Sequence, residues 1–355
     1  MRQVLLWLSL KNPWSAGTID GIEFVGAAYL WLIVGLVGIG WAYARRRVWP
    51  LRDWTGALVI WGVAGVVIHT AFSVTGLAAL PIYGYGFMLF LAFVAGGWLA
   101  TGRAKSVQMD PNWIWDAGLW MFVGGIFGAR LFYCVQYPKI VFGGKSGLPL
   151  LLAFFDLPSG GIVLYGGVIG GGIAFFLFCH RKKISPLKLA DVLAPSVFVG
   201  LMFGRIGCLL NGCCFGDRCE LPWAIEFAKG SVPYDVLLSR GFLTGAERAT
   251  FPLHPTQVYS AINALFLAIL LTVYYPRRSR DGAVLALGWI IYPVTRFMIE
   301  FLRGDEMGKF GTSFTIAQWV GVGLFVSGLV FWQMISRQPQ NSNRMISSKT
   351  VTGNA

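Results

Sequence analysis

Charge is what this chain has least of: 13% of its 355 residues are Asp, Glu, Lys or Arg, about half the share that a water-facing domain needs. That excludes an ordinary soluble fold. Histidine is scarcer still, with only His69, His180 and His254, so candidates for proton transfer are few. The sequence has no Ser–His–Asp arrangement, no Walker-type phosphate loop and no internal repeat of the kind that marks many transporters. No small-residue cleavage site follows the short apolar stretch at 4–10, so no cleavable signal peptide is apparent.

What fills the space is apolar: 56% of the residues are hydrophobic. They fall in runs near 22–43, 54–77, 82–101, 113–136, 161–179, 190–210, 258–275, 283–302 and 314–335. Each is long enough to cross a hydrocarbon core of about 30 Å as a helix. The expectation is an all-α polytopic membrane protein of about nine transmembrane helices. The net charge of +13 then reads as topology rather than nucleic-acid binding. Basic residues crowd the short segments 44–53, 102–112, 180–189 and 276–282 and the tail. By the positive-inside rule these are cytoplasmic, with the N-terminus outside and the C-terminus inside.

Three parts are expected. Residues 1–80 form an N-terminal transmembrane helix pair with little ionisable content beyond His69. Residues 81–335 form a seven-helix body with an outer head at 211–257, and 336–355 a polar, disordered cytoplasmic tail. The stretch LPLLLAFFDL, within 138–160, is too short to span and reads as an interfacial or re-entrant arm. Glycines in SGGIVLYGGVIGGGIAFF (159–176) fit close helix packing, or leave room for a ligand beside the backbone.

Charge at membrane depth costs several kcal/mol and marks candidate sites. Arg205 lies in FGRIGCLLNGCCFG (203–216), and Arg296 has Glu300 four residues on, where the two can form an ion pair. Arg130, in GARLFY, reads either as a site residue or as an interfacial arginine. Arginine presents a rigid donor fork suited to phosphate, and the phosphate available at that depth is a phospholipid headgroup. His254, in LHPTQVYS, stands where an outer loop enters a span, with Gln257 and Tyr259 close by. Tyr85, Tyr165 and Tyr292 lie at polar or Gly-rich span ends, where tyrosine is also a common anchor. Cys208, Cys213, Cys214 and Cys219 lack a standard zinc spacing and a nearby histidine. Packed thiols or one disulfide are the expectation, and no metal or cofactor is expected.

Taken together, these motifs resemble the prolipoprotein diacylglyceryl transferases of bacterial inner membranes. The resemblance covers about 82–335. It rests on GRIGCLLNGCCFG (204–216), supported by YGYGFM (83–88), GARLFY (128–133), YGGVIGG (165–171), DVLAP (191–195), LPW (221–223), HPTQVY (254–259) and YPVTRFMIEFLRGDE (292–306). It implies transfer of the diacylglyceryl group of phosphatidylglycerol to the lipobox cysteine in the signal peptide of a prolipoprotein, with release of glycerol 1-phosphate. It further implies that Arg205 and Arg296 bind the headgroup, that Asn211 and Gly216 belong to the signature loop, and that Tyr85 and Tyr292 line the cavity. Glu300 and Arg303 would sit at the polar end of a body helix. Where known members have His before Gly-Gly this chain has Tyr165, and where they have Asn it has Cys208. The family's general-base position is thus a tyrosine, and His254 or an arginine-stabilised phenolate is the alternative source of that function. Two rival readings use the same residues: a lipid or anion transporter lined by the arginines, and a thiol oxidoreductase built on the cysteines.

Overall fold

The computed structural model describes residues 4–9, 16–19, 22–26, 79–143, 153–154, 161, 163–303 and 311–339. Seven helices are long and apolar enough to cross a membrane: α1 (Gly84–Ser106), α2 (Asn112–Gln136), α4 (Leu164–Lys182), α5 (Pro186–Asn211), α7 (Thr256–Tyr274), α8 (Ala283–Glu300) and α9 (Ile316–Ser336). Two shorter ones, α3 (Pro138–Phe142) and α6 (Val232–Ser239), lie in the connections. Their ends follow local chemistry. Lys183 stops α4 in the left-handed region, and Gly282 starts α8 with φ 93°. Thr315 and Gln318 form a reciprocal capping box on α9. Large apolar side chains such as Trp98, Val135 and Leu164 face outward, as a lipid-facing surface requires.

The seven body spans stand where the apolar runs placed them. One boundary moves: α1 continues to Ser106, so Arg103 lies inside the helix instead of in a loop. It is buried, donating through Nε to Val192 O (2.9 Å) and through its terminal nitrogen to Ser196 Oγ.

Before α1 the chain forms strands that the apolar runs did not foretell: β1 (Val4–Ser9), β2 (Ala16–Ile19), β3 (Ile22–Gly26) and β4 (Ala79–Tyr83). They make one sheet in the order β2-β3-β1-β4, with β1 parallel to β3 (Trp7 opposite Phe24) and antiparallel to β4. Residues 22–26 are thus strand rather than the start of a first span. The remainder of the two N-terminal spans, His69 and most of the tail lie outside the described residues.

The chain divides into two compact units. One holds the sheet, the end of α5 from Gly207, and the 226–250 part of the head. In that part Phe227 N donates to Thr250 Oγ1 (3.0 Å) and Tyr234 Oη to Glu247 O (2.9 Å). The other unit holds residues 89–206, 214–225 and 251 onward.

Within the second unit, α2 and α4 pack through glycine. A methyl group on Gly166 would meet Gly128 O at 2.4 Å, and one on Gly170 would meet Gly124 O at 2.3 Å. Close packing is therefore what those glycines do, and an apolar groove of about 730 Å³ runs along the seam from Leu119 to Val135. Arg130 is buried beside it. Its guanidinium donates to Ala153 O (2.8 Å), Phe154 O (2.9 Å) and Gly161 O (2.9 Å). Ala153 and Val141 pack with Cys134 in a small core, so the arginine ties Ala153 and Phe154 to the end of α2; the rest of the expected arm, 144–152 and 155–160, lies outside the described residues.

Candidate functional site

Two helices carry the intramembrane arginines, and a carboxylate fixes how they run. Asp191, fully buried near the start of α5, accepts hydrogen bonds from Gly282 N (2.8 Å), Val284 N (3.0 Å) and Leu285 N (3.0 Å). It thereby caps the free N–H groups that open α8, a favourable place for an anion. Arg278 Nε stands 3.4 Å from the same carboxylate, and its guanidinium lies over the Tyr275 ring at 3.8 Å. Further along, Phe198 of α5 meets Tyr292 of α8 ring to ring at 5.8 Å. The helices are accordingly parallel, sharing a starting level and a mid-length contact.

At about 1.5 Å per residue, Arg205 and Arg296 both lie roughly 20 Å from the Asp191 end. Arg205 is two helical turns beyond Phe198, and Arg296 one turn beyond Tyr292, so each sits on the face that its helix turns toward the other. The two arginines therefore share a depth and a side. Their surroundings differ. Arg296 pairs with Glu300, which is 2% exposed. Glu300 also takes Arg303 at 3.4 Å and accepts from Thr315 Oγ1 at 3.0 Å. Arg205, half-buried, makes no hydrogen bond or ion pair among the described residues. Two guanidiniums thus share the Glu300 carboxylate at the end of α8, and Arg205 stands without a carboxylate among the described residues.

The signature loop closes this end. Gly216 N donates to His254 O (2.9 Å), His254 N to Asp217 O (2.9 Å) and Asp217 N to Leu302 O (2.9 Å), while Gly216 bridges to Arg303. A methyl group on Gly216 would stand 2.5 Å from His254 Cβ and 2.6 Å from Leu302 O. Only glycine admits so close an approach of three backbones. Cys214 bends the loop with φ 61°, and Thr256 Oγ1 donates to its carbonyl at 2.7 Å.

The other predicted residues are distributed as follows. Tyr292 is half-buried against Phe198, whereas Tyr165, in the first turn of α4, is 56% exposed. In the first unit Tyr85 packs close to Gly207, and Asn211 ends α5. Arg130 is committed to the arm's carbonyls, so its guanidinium is a structural tie. All six cysteines are free thiols, which meets the packed-thiol expectation and not the disulfide. Cys208 and Cys213 place their sulfurs within 4.8 Å of each other, half of a tetrahedral thiolate set.

Three features escaped the sequence reading. Thr315 was legible as the first residue of Thr-x-x-Gln, but not as a donor to Glu300. Asp191 lay in a recognised motif with nothing to mark its partners. Trp223, also within a motif, donates to Tyr259 Oη at 2.7 Å, and Tyr259 Oη lies 3.3 Å from His254 Nδ1.

A family model described as prolipoprotein diacylglyceryl transferase matches residues 69–334. Proteins named phosphatidylglycerol–prolipoprotein diacylglyceryl transferase are similar along most of their length. The one from Clostridium tetani is 34% identical, covering 71% of this chain and 93% of its own. That of Idiomarina loihiensis is 30% identical over 73% and 90%. A longer match, 28% identical, covers 86% of this chain and 84% of the Rhodopirellula baltica protein.

Proposed function

We propose a reaction for this chain from the premise that it belongs to the prolipoprotein diacylglyceryl transferase family: it moves the diacylglyceryl group of phosphatidylglycerol onto the lipobox cysteine of a prolipoprotein. It is a membrane enzyme. The observation that carries the reading is Arg205, half-buried and without a partner among the described residues, on the helix beside that of Arg296, whose carboxylate is already shared with Arg303. A partly buried guanidinium with no carboxylate calls for an anion, and a lipid phosphate is the anion at that depth.

The chemistry then needs little from the protein beyond charge and position. The substrate cysteine reacts as its thiolate, held ionised by the same positive field, and its proton passes to water. Sulfur attacks the diacylglyceryl carbon that bears the phosphate ester. The carbon–sulfur bond forms as the carbon–oxygen bond breaks, and glycerol 1-phosphate leaves with its charge held by Arg205 and Arg296. Arg303 and Glu300 fix Arg296, Gly216 shapes its part of the loop, and Tyr165, Tyr292 and His254 are the polar residues of the second unit assigned to the site; Tyr85 and Asn211 are those of the first. Arg130 contributes by holding the arm. Partners are phosphatidylglycerol, prolipoprotein signal peptides and membrane lipids; nucleic acid has no part.

We further place the chain in the bacterial cytoplasmic membrane. The N-terminus is outside, the C-terminus is cytoplasmic and the arginine end faces outward, in keeping with the basic segments. Labelling that found 45–52 and 181–183 on the outer face would falsify that topology. Residues 1–80 are an N-terminal module and 81–335 the catalytic body, so deletion of 1–79 should leave measurable transfer in an inserted protein.

The test of function is transfer of labelled diacylglyceryl from phosphatidylglycerol to a lipobox peptide, followed with glycerol phosphate release. Wild type should do both. Lipid movement without either product would sink this reading in favour of the transporter.

A further inference from the structure

An indole N–H can only donate a hydrogen bond. Trp223 Nε1 stands 2.7 Å from Tyr259 Oη, so the phenol oxygen is the acceptor there. Tyr259 keeps its own proton, and its other hydrogen-bond neighbour among the described residues is His254 Nδ1 at 3.3 Å. Were Nδ1 protonated, two donors would point at one oxygen while the phenolic proton had no acceptor among the described residues. The arrangement that satisfies every group runs from the indole N–H to the phenol oxygen and from the phenolic O–H to Nδ1. A neutral imidazole that accepts at Nδ1 carries its proton on Nε2.

The backbone holds that ring in place. His254 N donates to Asp217 O (2.9 Å), and His254 O accepts from Gly216 N (2.9 Å) and Thr256 N (2.9 Å). Gly216 in turn bridges to Arg303, next to Glu300 and Arg296. His254 is therefore two strand spacings from Arg303, with Gly216 between them.

We propose that His254 acts as a neutral hydrogen-bond donor through Nε2 to the phosphate of the lipid substrate, with Trp223 and Tyr259 as positioning residues that set its tautomer. This rests on the diacylglyceryl-transfer reading for the identity of the anion. It also separates His254 from the general-base role, because Nε2 already bears a proton and Nδ1 is occupied by the phenol.

Two measurements on the full chain in phosphatidylglycerol-containing vesicles test it. The first is nitrogen-15 NMR of labelled histidine. The chain has three histidines, so loss of one signal in His254→Gln assigns the ring. Wild type should show the Nε2–H tautomer, and Tyr259→Phe a mixture of both. The second is transfer to a lipobox peptide. Glutamine presents its amide nitrogen near the place of Nε2, so His254→Gln should stay within about threefold of wild type. His254→Asn reaches only the place of Nδ1 and should lose about 10- to 100-fold, the size of a lost bond to a charged group. Trp223→Phe should lower kcat a few-fold with KM unchanged, since its effect is on the tautomer. An Nδ1–H signal in wild type, or His254→Asn equal to or better than His254→Gln, overturns the proposal. A wild-type chain with the Nε2–H tautomer but no transfer from phosphatidylglycerol would sink the reaction and the phosphate ligand together. An Nδ1–H signal in an active chain would sink this inference alone.

Discussion

At one end of the α5–α8 pair, Asp191 takes three backbone N–H groups and stands within ion-pair range of Arg278. Arg103, nearby on α1, has a carbonyl and a hydroxyl for its donors. At the other end, Glu300 is shared by Arg296 and Arg303, and Arg205 has no partner among the described residues. In the first set the carboxylate and the Arg103 guanidinium find their hydrogen-bond partners, as buried structural charge requires, although Arg278 Nε is held by charge alone. In the second, the one carboxylate is shared and Arg205 stands without a partner among the described residues. The difference teaches where to look for function in a membrane protein: not wherever charge is buried, but where buried charge is left unmatched.

Substitutions at the two ends should thus separate activity from stability. The largest effect belongs to Arg205→Lys and Arg296→Lys. Both keep the charge and lose the bidentate fork, and each should lower peptide transfer by about 100-fold, the loss of one preorganised oxyanion donor. Thermal unfolding should move little. Near-normal turnover in both variants would erase the distinction between the ends. The converse variant, Asp191→Ala, strands Arg278 and uncaps α8. It should cost about 3–5 kcal/mol of stability, measured by thermal or denaturant unfolding in detergent, while the rate per folded molecule holds.

Gly216→Ala sharpens the contrast from the loop side. Its methyl group collides with backbone at 2.6 Å, an overpacking cost of about 1–3 kcal/mol, and the shift falls on Arg303. Activity should drop with stability, unlike in either end's variants. Thr315→Val removes both the cap and a donor to Glu300. About 1 kcal/mol of stability should go, with a modest rise in KM for lipid as Arg296 loosens. Smallest of all is the pH response of the 226–250 head. The Glu247 carboxyl lies below its ordinary range, held by its own backbone N–H and by Thr244. Its stabilisation is present above the unfolded carboxylate pKa and is lost as pH falls through the lowered one. Hydrogen exchange in the head should quicken in acid only.

The seven body spans were legible because a run of about 20 apolar residues has one stable form in lipid. Arg103 shows the limit of that reading: hydropathy ends a span at the first charge, whereas Val192 O and Ser196 carry this one inside. The sheet was hidden for another reason. Val4–Ser9 is a short apolar run, and its partners are 17 and 70–79 residues away. Asp20-Gly21, between β2 and β3, was the available hairpin signal. At the site, residue type and depth singled out Arg205, Arg296 and Glu300. What sequence could not supply was who meets whom. Arg130 has the same composition-level credentials as Arg205, yet its donors are taken by three carbonyls.

Parallel helices joined at Asp191 and bearing arginines roughly 20 Å away have the mechanics of a pair of tongs. A change of about 3° in the angle at the grip moves a tip by about 1 Å, and a misplacement of that size costs catalysis about a hundredfold. The working gap is therefore set roughly 20 Å away from the arginines themselves. Whatever strains the grip, such as membrane thinning or a bulky residue beside Gly282, would be felt as lost rate before it was felt as unfolding.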